Sequence, residues 1–207
     1  MIENVSPKKF LGQHFLIDEN ISKKIVNAVS VKEFDKIVEI GPGKGALTKY
    51  LFEFSDKLIL IEYDTESVEF IKSSFKKHNP NIIKQDFLKY NLKDVLSQTS
   101  KNLIMGNFPY NISSQIIFKV LDNYLLVNNL IGMFQREVAE RIISKPNSKE
   151  YGIISVKTQL FYDVKILFDV SPNVFFPKPR VNSSVISMIR KKNININFDL
   201  KLFDRLV

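Results

Sequence analysis

The chain has 207 residues, 44% of them hydrophobic, with only 7 glycines and 8 prolines: enough apolar material for one globular domain, and no bias toward disorder or fibre. Thirty Lys and Arg against 22 Asp and Glu leave a net charge of +8, which favours a polyanionic partner, although genomic base composition also yields lysine-rich surfaces. The lack of cysteine excludes disulfides, thiolate metal sites and cysteine nucleophiles, and the two histidines, His14 and His78, are too far apart in sequence for a metal motif, so no metal is expected.

Met1 to Phe10 has no apolar signal core, and no stretch reaches the roughly 18 apolar residues of a membrane span. A cytoplasmic protein with no membrane contact is expected.

In chain order, Ile21, Ile25, Ala28 and Val29 predict a first helix capped by Asp18, with Lys23 and Lys24 outward. Short β-rich runs follow at Lys36 to Ile40, Lys57 to Glu62, Asn81 to Lys84, Asn102 to Met105 and Asn129 to Phe134. They alternate with amphipathic segments, Val68-Ile71-Phe75 and Ile112-Ile116-Ile117-Val120-Leu121, as βαβ units around a parallel sheet do. Helices are expected at Arg136 to Ser144 and Tyr151 to Tyr162. Strands near Val164 to Val170 and Ser184 to Ile189 form an antiparallel hairpin around the Pro-rich loop Ser171 to Pro179. Lys191 to Asn197 is a polar stretch before an amphipathic start at Phe198 to Val207.

Val38-Glu39-Ile40 runs into Gly41-Pro42-Gly43-Lys44-Gly45, placing glycines at the carboxyl end of a central strand, where doubly wound sheets bind ligands. Glycine lets the chain turn sharply and lets a ligand approach the main chain, so a bulkier residue at Gly41 or Gly43 is expected to block that approach. Dinucleotide dehydrogenases share such loops. Here Glu62 ends the second strand, able to accept both ribose hydroxyls, and Asp86 follows the third, able to receive an adenine amino group. Together they favour S-adenosylmethionine over NAD.

The fourth strand ends in Gly106-Asn107-Phe108-Pro109-Tyr110, an (Asn/Asp/Ser)-x-Pro-(Tyr/Phe) pattern suited to methylating a conjugated nitrogen. The lone pair of an exocyclic adenine amine is delocalised into the ring, so the site must hold the nitrogen in a more tetrahedral state. The Asn107 side-chain oxygen and the Phe108 carbonyl, ahead of rigid Pro109, are positioned to accept its two N–H bonds, and Tyr110 to stack on the base. As a bare tetrapeptide the same residues also read as a turn after a strand.

Four further segments carry a family likeness: Lys8 to Leu16, Phe134 to Ala139, Ser148 to Gly152, and Phe175 to Ser183. With them the chain resembles the KsgA family of ribosomal RNA adenine N6,N6-dimethyltransferases. The resemblance implies a class I S-adenosylmethionine-dependent methyltransferase: α/β, Rossmann-like, with a mostly parallel seven-stranded sheet, an antiparallel last strand and helices on both faces. It implies dimethylation of two adjacent adenines near the 3′ end of 16S rRNA within the small ribosomal subunit, during that subunit's biogenesis. It also implies that His14 and Leu16 touch the cofactor, that Gly41, Glu62, Asp86 and Asn107 hold it, and that Phe175 is a second stacking residue for the target adenine. A catalytic domain over 1–190 is expected, with 191–207 as linker and start of a helical domain that helps grip rRNA. The chain is expected to act as a monomer.

His14 stands where most of the family has Asn, and Phe108 where Leu is commoner. The alternatives are a sister enzyme that dimethylates 23S rRNA to give macrolide resistance, and a noncatalytic ribosome-assembly factor. Gly106 and Ser148 to Gly152 argue against the sister enzyme, and the intact Asn107, Tyr110, Glu62 and Asp86 against lost chemistry. DNA adenine and protein glutamine methyltransferases carry Asn/Asp-Pro-Pro-Tyr, where Phe108 replaces the first proline.

Overall fold

A computed structural model describes residues 5–194. The expected amphipathic start at Phe198 to Val207, and all but the beginning of the 191–207 segment, lie outside the described residues.

The elements in chain order are β1 (Phe15–Leu16), α1 (Glu19–Val26), β2 (Lys36–Ile40), α2 (Thr48–Leu51), β3 (Leu58–Glu62), α3 (Thr65–Ser74), β4 (Ile82–Lys84), β5 (Asn102–Asn107), α4 (Ser113–Asp122), β6 (Asn129–Gln135), α5 (Arg136–Ile143), α6 (Ile153–Phe161), β7 (Tyr162–Val170), β8 (Phe175–Phe176) and β9 (Ser183–Arg190). Seven strands form one sheet in the order β4-β3-β2-β5-β6-β9-β7, with β9 antiparallel to both of its neighbours and the remaining pairs parallel.

Successive strand residues face opposite sides of the sheet, and the sequence fills both sides with apolar groups because helices cover both. Ile37, Leu58, Leu60, Leu103 and Met105 share one cluster with Ile25 of α1, Leu51 of α2 and Ile71 of α3. Val38, Ile40, Ile59, Ile61 and Ile104 share the other with Ile116 and Val120 of α4, Ile142 of α5 and Ile154 of α6. Asp18 caps α1 as expected, its carboxylate accepting from the amides of Asn20 (2.8 Å) and Ile21 (3.0 Å). The helix stops at the Asn27 cap, so Ala28 and Val29 fall beyond its end.

One pairing went unforeseen. Within the Lys8 to Leu16 segment and the Pro-rich loop Ser171 to Pro179, neither of which was expected to hold a strand, β1 and β8 pair antiparallel, Phe15 opposite Phe176 and Leu16 opposite Phe175. Two-residue strands carry no readable period, and these two are brought together only by the surrounding fold.

Glu39, in the middle of β2, is 2% exposed, and its Oε2 has no hydrogen-bond partner among the described residues. Burial, reinforced by repulsion from Glu62, pushes its carboxyl up from 4.5 to about 8. The folded protein therefore keeps a proton that the unfolded chain has lost, and this residue's contribution to stability falls as pH rises from 4.5 to about 8. The slope is at most about 1.4 kcal/mol per pH unit. Glu39→Gln is expected to flatten that decline in urea melts run across this range; a variant with the parent's slope would show that another group sets it.

Candidate active site

The carboxyl ends of β2, β3, β4 and β5 converge on one sheet edge, as parallel pairing in register requires. From Ile40 the chain enters the glycine loop with Gly41, Gly43 and Gly45 at φ +65°, +54° and +76°. A Cβ at Gly41 would meet nothing within 4 Å, because that position opens onto a cavity. At Gly43 the limit differs from expectation: a Cβ would come within 3.0 Å of the Phe15 ring, so a neighbouring side chain, rather than ligand approach alone, requires glycine there.

Glu62, at the end of β3, accepts from the Gly43 amide through Oε2 (3.0 Å) and from the Asp64 amide through Oε1 (2.9 Å). Burial pushes this carboxyl up and the two amides pull it back, the former prevailing. Each oxygen keeps a lone pair for a ligand hydroxyl. Asp86, past β4, accepts from the Leu88 amide (2.9 Å), which orients it at the same edge.

The N-terminal segment crosses this edge. Lys8 pairs with Asp64 and, at 3.2 Å, with Glu66, while Gln13 reaches Asp64 at 3.4 Å. Burial alone would raise the Asp64 carboxyl, but hydrogen bonds from Lys8, Ser67 and Gln13 hold it below the usual range. The segment thereby closes one wall of a cavity of about 270 Å³. His14, Gly41, Gly43, Glu62, Asp86, Asn107, Pro109 and Tyr110 all line it. Leu16 and Phe175 do not: both are buried opposite each other in the core, 5% and 3% exposed. Phe175 therefore offers no ring face to the cavity in this conformation, and the exposed ring of that pair of phenylalanines is Phe176.

Asn107, the last residue of β5, donates through Nδ2 to the His14 carbonyl at 2.9 Å. That bond fixes the amide, leaving Oδ1 as the acceptor without a partner among the described residues. The His14 ring meets the Pro177 carbonyl through Nδ1 at 2.7 Å, so Nδ1 carries the proton, and it stacks on Tyr110 with centroids 5.2 Å apart. His14 thus acts through its backbone on Asn107 and through its ring on Tyr110. Tyr110 is held from the other side by Ser183 of β9, hydroxyl to hydroxyl at 2.5 Å.

Phe108 is 1% exposed. Its ring fills a slot over Gly106 and Gly132, paired across β5 and β6; a Cβ at either would collide with it. The slot accounts for a ring in a position where the family more often carries Leu.

Sequence reading passed over Phe15, Tyr63, Phe87 and Leu88, which supply the apolar wall. Tyr63 and Phe87 directly follow the two acids, and that adjacency was the available signal. Ser183 gave none, since only the fold brings β9 to Tyr110.

A nucleoside-bearing cation suits this donor set: open space over Gly41, two carboxylates at neighbouring strand ends, and apolar rings between them. The family model described as ribosomal RNA adenine dimethylase matches residues 4–207. The chain belongs to the ribosomal RNA adenine dimethylase family.

Among relatives, the dimethylase is 50% identical over 206 residues to the ribosomal RNA small subunit methyltransferase A of Flavobacterium johnsoniae, covering 100% of this chain and 78% of that protein. It is 39% identical to the protein of the same name from Francisella tularensis, covering 97% and 77%. The crystal structure of a dimethyladenosine transferase from Plasmodium falciparum superposes with TM-score 0.81 at 28% identity, over 93% of this chain and 69% of that one. The 23S rRNA methyltransferase ErmE, at 21% identity and TM-score 0.73 over 92% and 75%, shares the fold. The dimethylase is an S-adenosylmethionine-dependent enzyme with the Rossmann-like fold expected of it. No helix among its described residues is long and apolar enough to cross a membrane.

Proposed function

We propose that this dimethylase methylates the N6 amines of two adjacent adenines near the 3′ end of 16S rRNA, twice each, within the small ribosomal subunit. The small-subunit name shared by relatives at 39 and 50% identity supports this reading over the 23S one. The observation that carries the chemistry is the pinned Asn107 amide, whose Oδ1 remains open beside the cavity.

When bound, S-adenosylmethionine supplies an electrophilic sulfonium methyl. Glu62 would accept the ribose hydroxyls and Asp86 the adenine amino group, with Gly41 leaving room for main-chain approach and Tyr63 and Phe87 enclosing the rings. Asn107 Oδ1 and the Phe108 carbonyl would accept the two N6–H bonds of the target adenine and localise its lone pair. Tyr110, braced by His14 and Ser183, would stack on the base, an interaction of about 1–3 kcal/mol. No general base is needed before transfer, since the proton leaves readily afterwards. Leu16 acts indirectly, its buried side chain anchoring His14 and Phe15 to the wall. Phe175 joins the stack only if the β1–β8 pair shifts. We assign 1–190 to catalysis, in a monomer that uses no metal.

The test is incubation with tritiated S-adenosylmethionine and undermethylated small subunits, undermethylated large subunits or DNA, with labelled nucleotides mapped by mass spectrometry. Paired dimethyladenosines in small-subunit rRNA are expected. Label confined to large-subunit rRNA would reassign the substrate, and cofactor binding without transfer would leave a binding factor.

A further inference from the structure

Two runs of consecutive residues line the cofactor cavity, 85–88 past the end of β4 and 107–112 from the end of β5. They are not equally supported. β5 lies inside the sheet between β2 and β6, whereas β4 is an edge strand with β3 as its one neighbour. Past β4 the chain makes a turn of its own: the Asp86 carbonyl accepts from the amides of Lys89 and Tyr90, each at 3.0 Å, and the Asp86 carboxylate accepts from that of Leu88. These bonds set the shape of the turn and leave its position open. Phe87, 4% exposed, packs into the core beneath it, but apolar packing is non-directional and does not fix how the turn is rotated.

Among the described residues, one hydrogen bond ties residues 86–90 to another element. Lys119, in the last turn of α4, donates from Nζ to the Leu88 carbonyl at 2.9 Å, and its ammonium lies 5.8 Å from the centre of the Phe87 ring. Lys119 is half-buried and has no ion-pair partner among the described residues, so this carbonyl and this ring are the partners of its charge. The other end of α4 is tied to the second run. Ser113 Oγ donates to the Tyr110 carbonyl at 3.1 Å, and the Ile112 amide to the Pro109 carbonyl at 3.2 Å. From Ser113 to Lys119 the helix rises about 9 Å, a rigid span between the two walls.

We propose that Lys119 is a positioning residue for the cofactor: through the Leu88 carbonyl it fixes the turn that carries Asp86 against α4, and so sets the Asp86 carboxylate at a constant distance from the turn that carries Asn107. The inference rests on the placement of the cofactor's adenine against Asp86 given above and adds what holds Asp86 in place. Lys119 is itself no part of the cavity wall, so it acts through Leu88 and Asp86 rather than on the cofactor. With the donor gone the turn shifts, and recognition of the adenine amino group loosens while the reacting centre keeps its geometry.

The test uses the full chain with Lys119→Met, which keeps an unbranched apolar stem and removes the donor, and Lys119→Arg, which keeps a charged donor. Calorimetric titration follows S-adenosylhomocysteine and its analogue in which hydrogen replaces the 6-amino group of the purine. The parent is expected to prefer the first. Lys119→Met is expected to bind S-adenosylhomocysteine several-fold more weakly and the analogue nearly as the parent does, so that the preference narrows. KM for S-adenosylmethionine in transfer to undermethylated small subunits should rise by the same factor at nearly constant kcat. Lys119→Arg should recover most of the preference. A loss of affinity equal for both ligands would make Lys119 a general stabiliser and overturn the proposal, as would a Lys119→Met protein that binds both like the parent. A parent with no preference overturns the Asp86 assignment itself, and the tether's role with it. The calorimetry needs no RNA, so it stands or falls apart from the rRNA assignment.

Discussion

Asn107→Ala is expected to reduce methyl transfer by about a hundredfold or more, the scale seen when one preorganised group facing a reacting centre is removed. Among the described residues the side chain makes one hydrogen bond, from its Nδ2 to the His14 carbonyl, and its Oδ1 is left for the cavity that Asn107 lines. Loss of that acceptor leaves the target amine conjugated and its lone pair unaimed. Cofactor binding has many other partners, among them Glu62, Asp86 and the glycine loop, so its affinity should change by no more than about 1–3 kcal/mol. Single-turnover transfer and calorimetric titration with S-adenosylhomocysteine separate the two effects. Near-normal turnover by the variant would remove Asn107 from the reaction, and a collapse of both quantities would make it a cofactor residue.

The second large effect is structural. Gly132→Ala is expected to destabilise the protein by about 1–3 kcal/mol, because its Cβ would overlap the Phe108 ring and come within 2.8 Å of Phe134. For a domain of this size that corresponds to a fall in Tm of about 2–4 °C per kcal/mol. The Phe134 ring also meets Phe108 edge to face, centroids 5.1 Å apart, so Phe108 cannot retreat in that direction. A displaced Phe108 would carry Asn107 and Pro109 with it, and kcat should fall along with stability. Phe108→Leu in the Gly132→Ala background should restore most of the loss, with a coupling of about 0.5–3 kcal/mol between the two sites. Additive effects in thermal melts would show that the ring and the glycine do not form a unit.

Much of this was legible in residue order. The seven strands of the large sheet were placed to within a residue or two because buried strands are apolar runs, and β3 is buried along its whole length. The glycine loop, Glu62, Asp86 and Asn107 to Tyr110 could be read because chemistry at a sheet edge depends on what directly follows each strand. Less legible was whatever depends on two distant segments meeting. The resemblance gave Leu16 and Phe175 contact roles, yet the fold turns them toward each other and away from the cavity, while exposing Phe176.

By itself, then, the sequence determined the order of elements, the face each buries and the acids and amide at the strand ends, since periodicity and spacing are local properties. The tertiary structure decided which way the Asn107 amide points, that Ser183 and His14 brace Tyr110, that Phe15 restricts Gly43, and that Phe108 requires Gly132. Each of these joins residues from about two dozen to nearly a hundred positions apart, and local spacing constrains no such distance; only the packing of the whole sheet and its crossing N-terminal segment sets it.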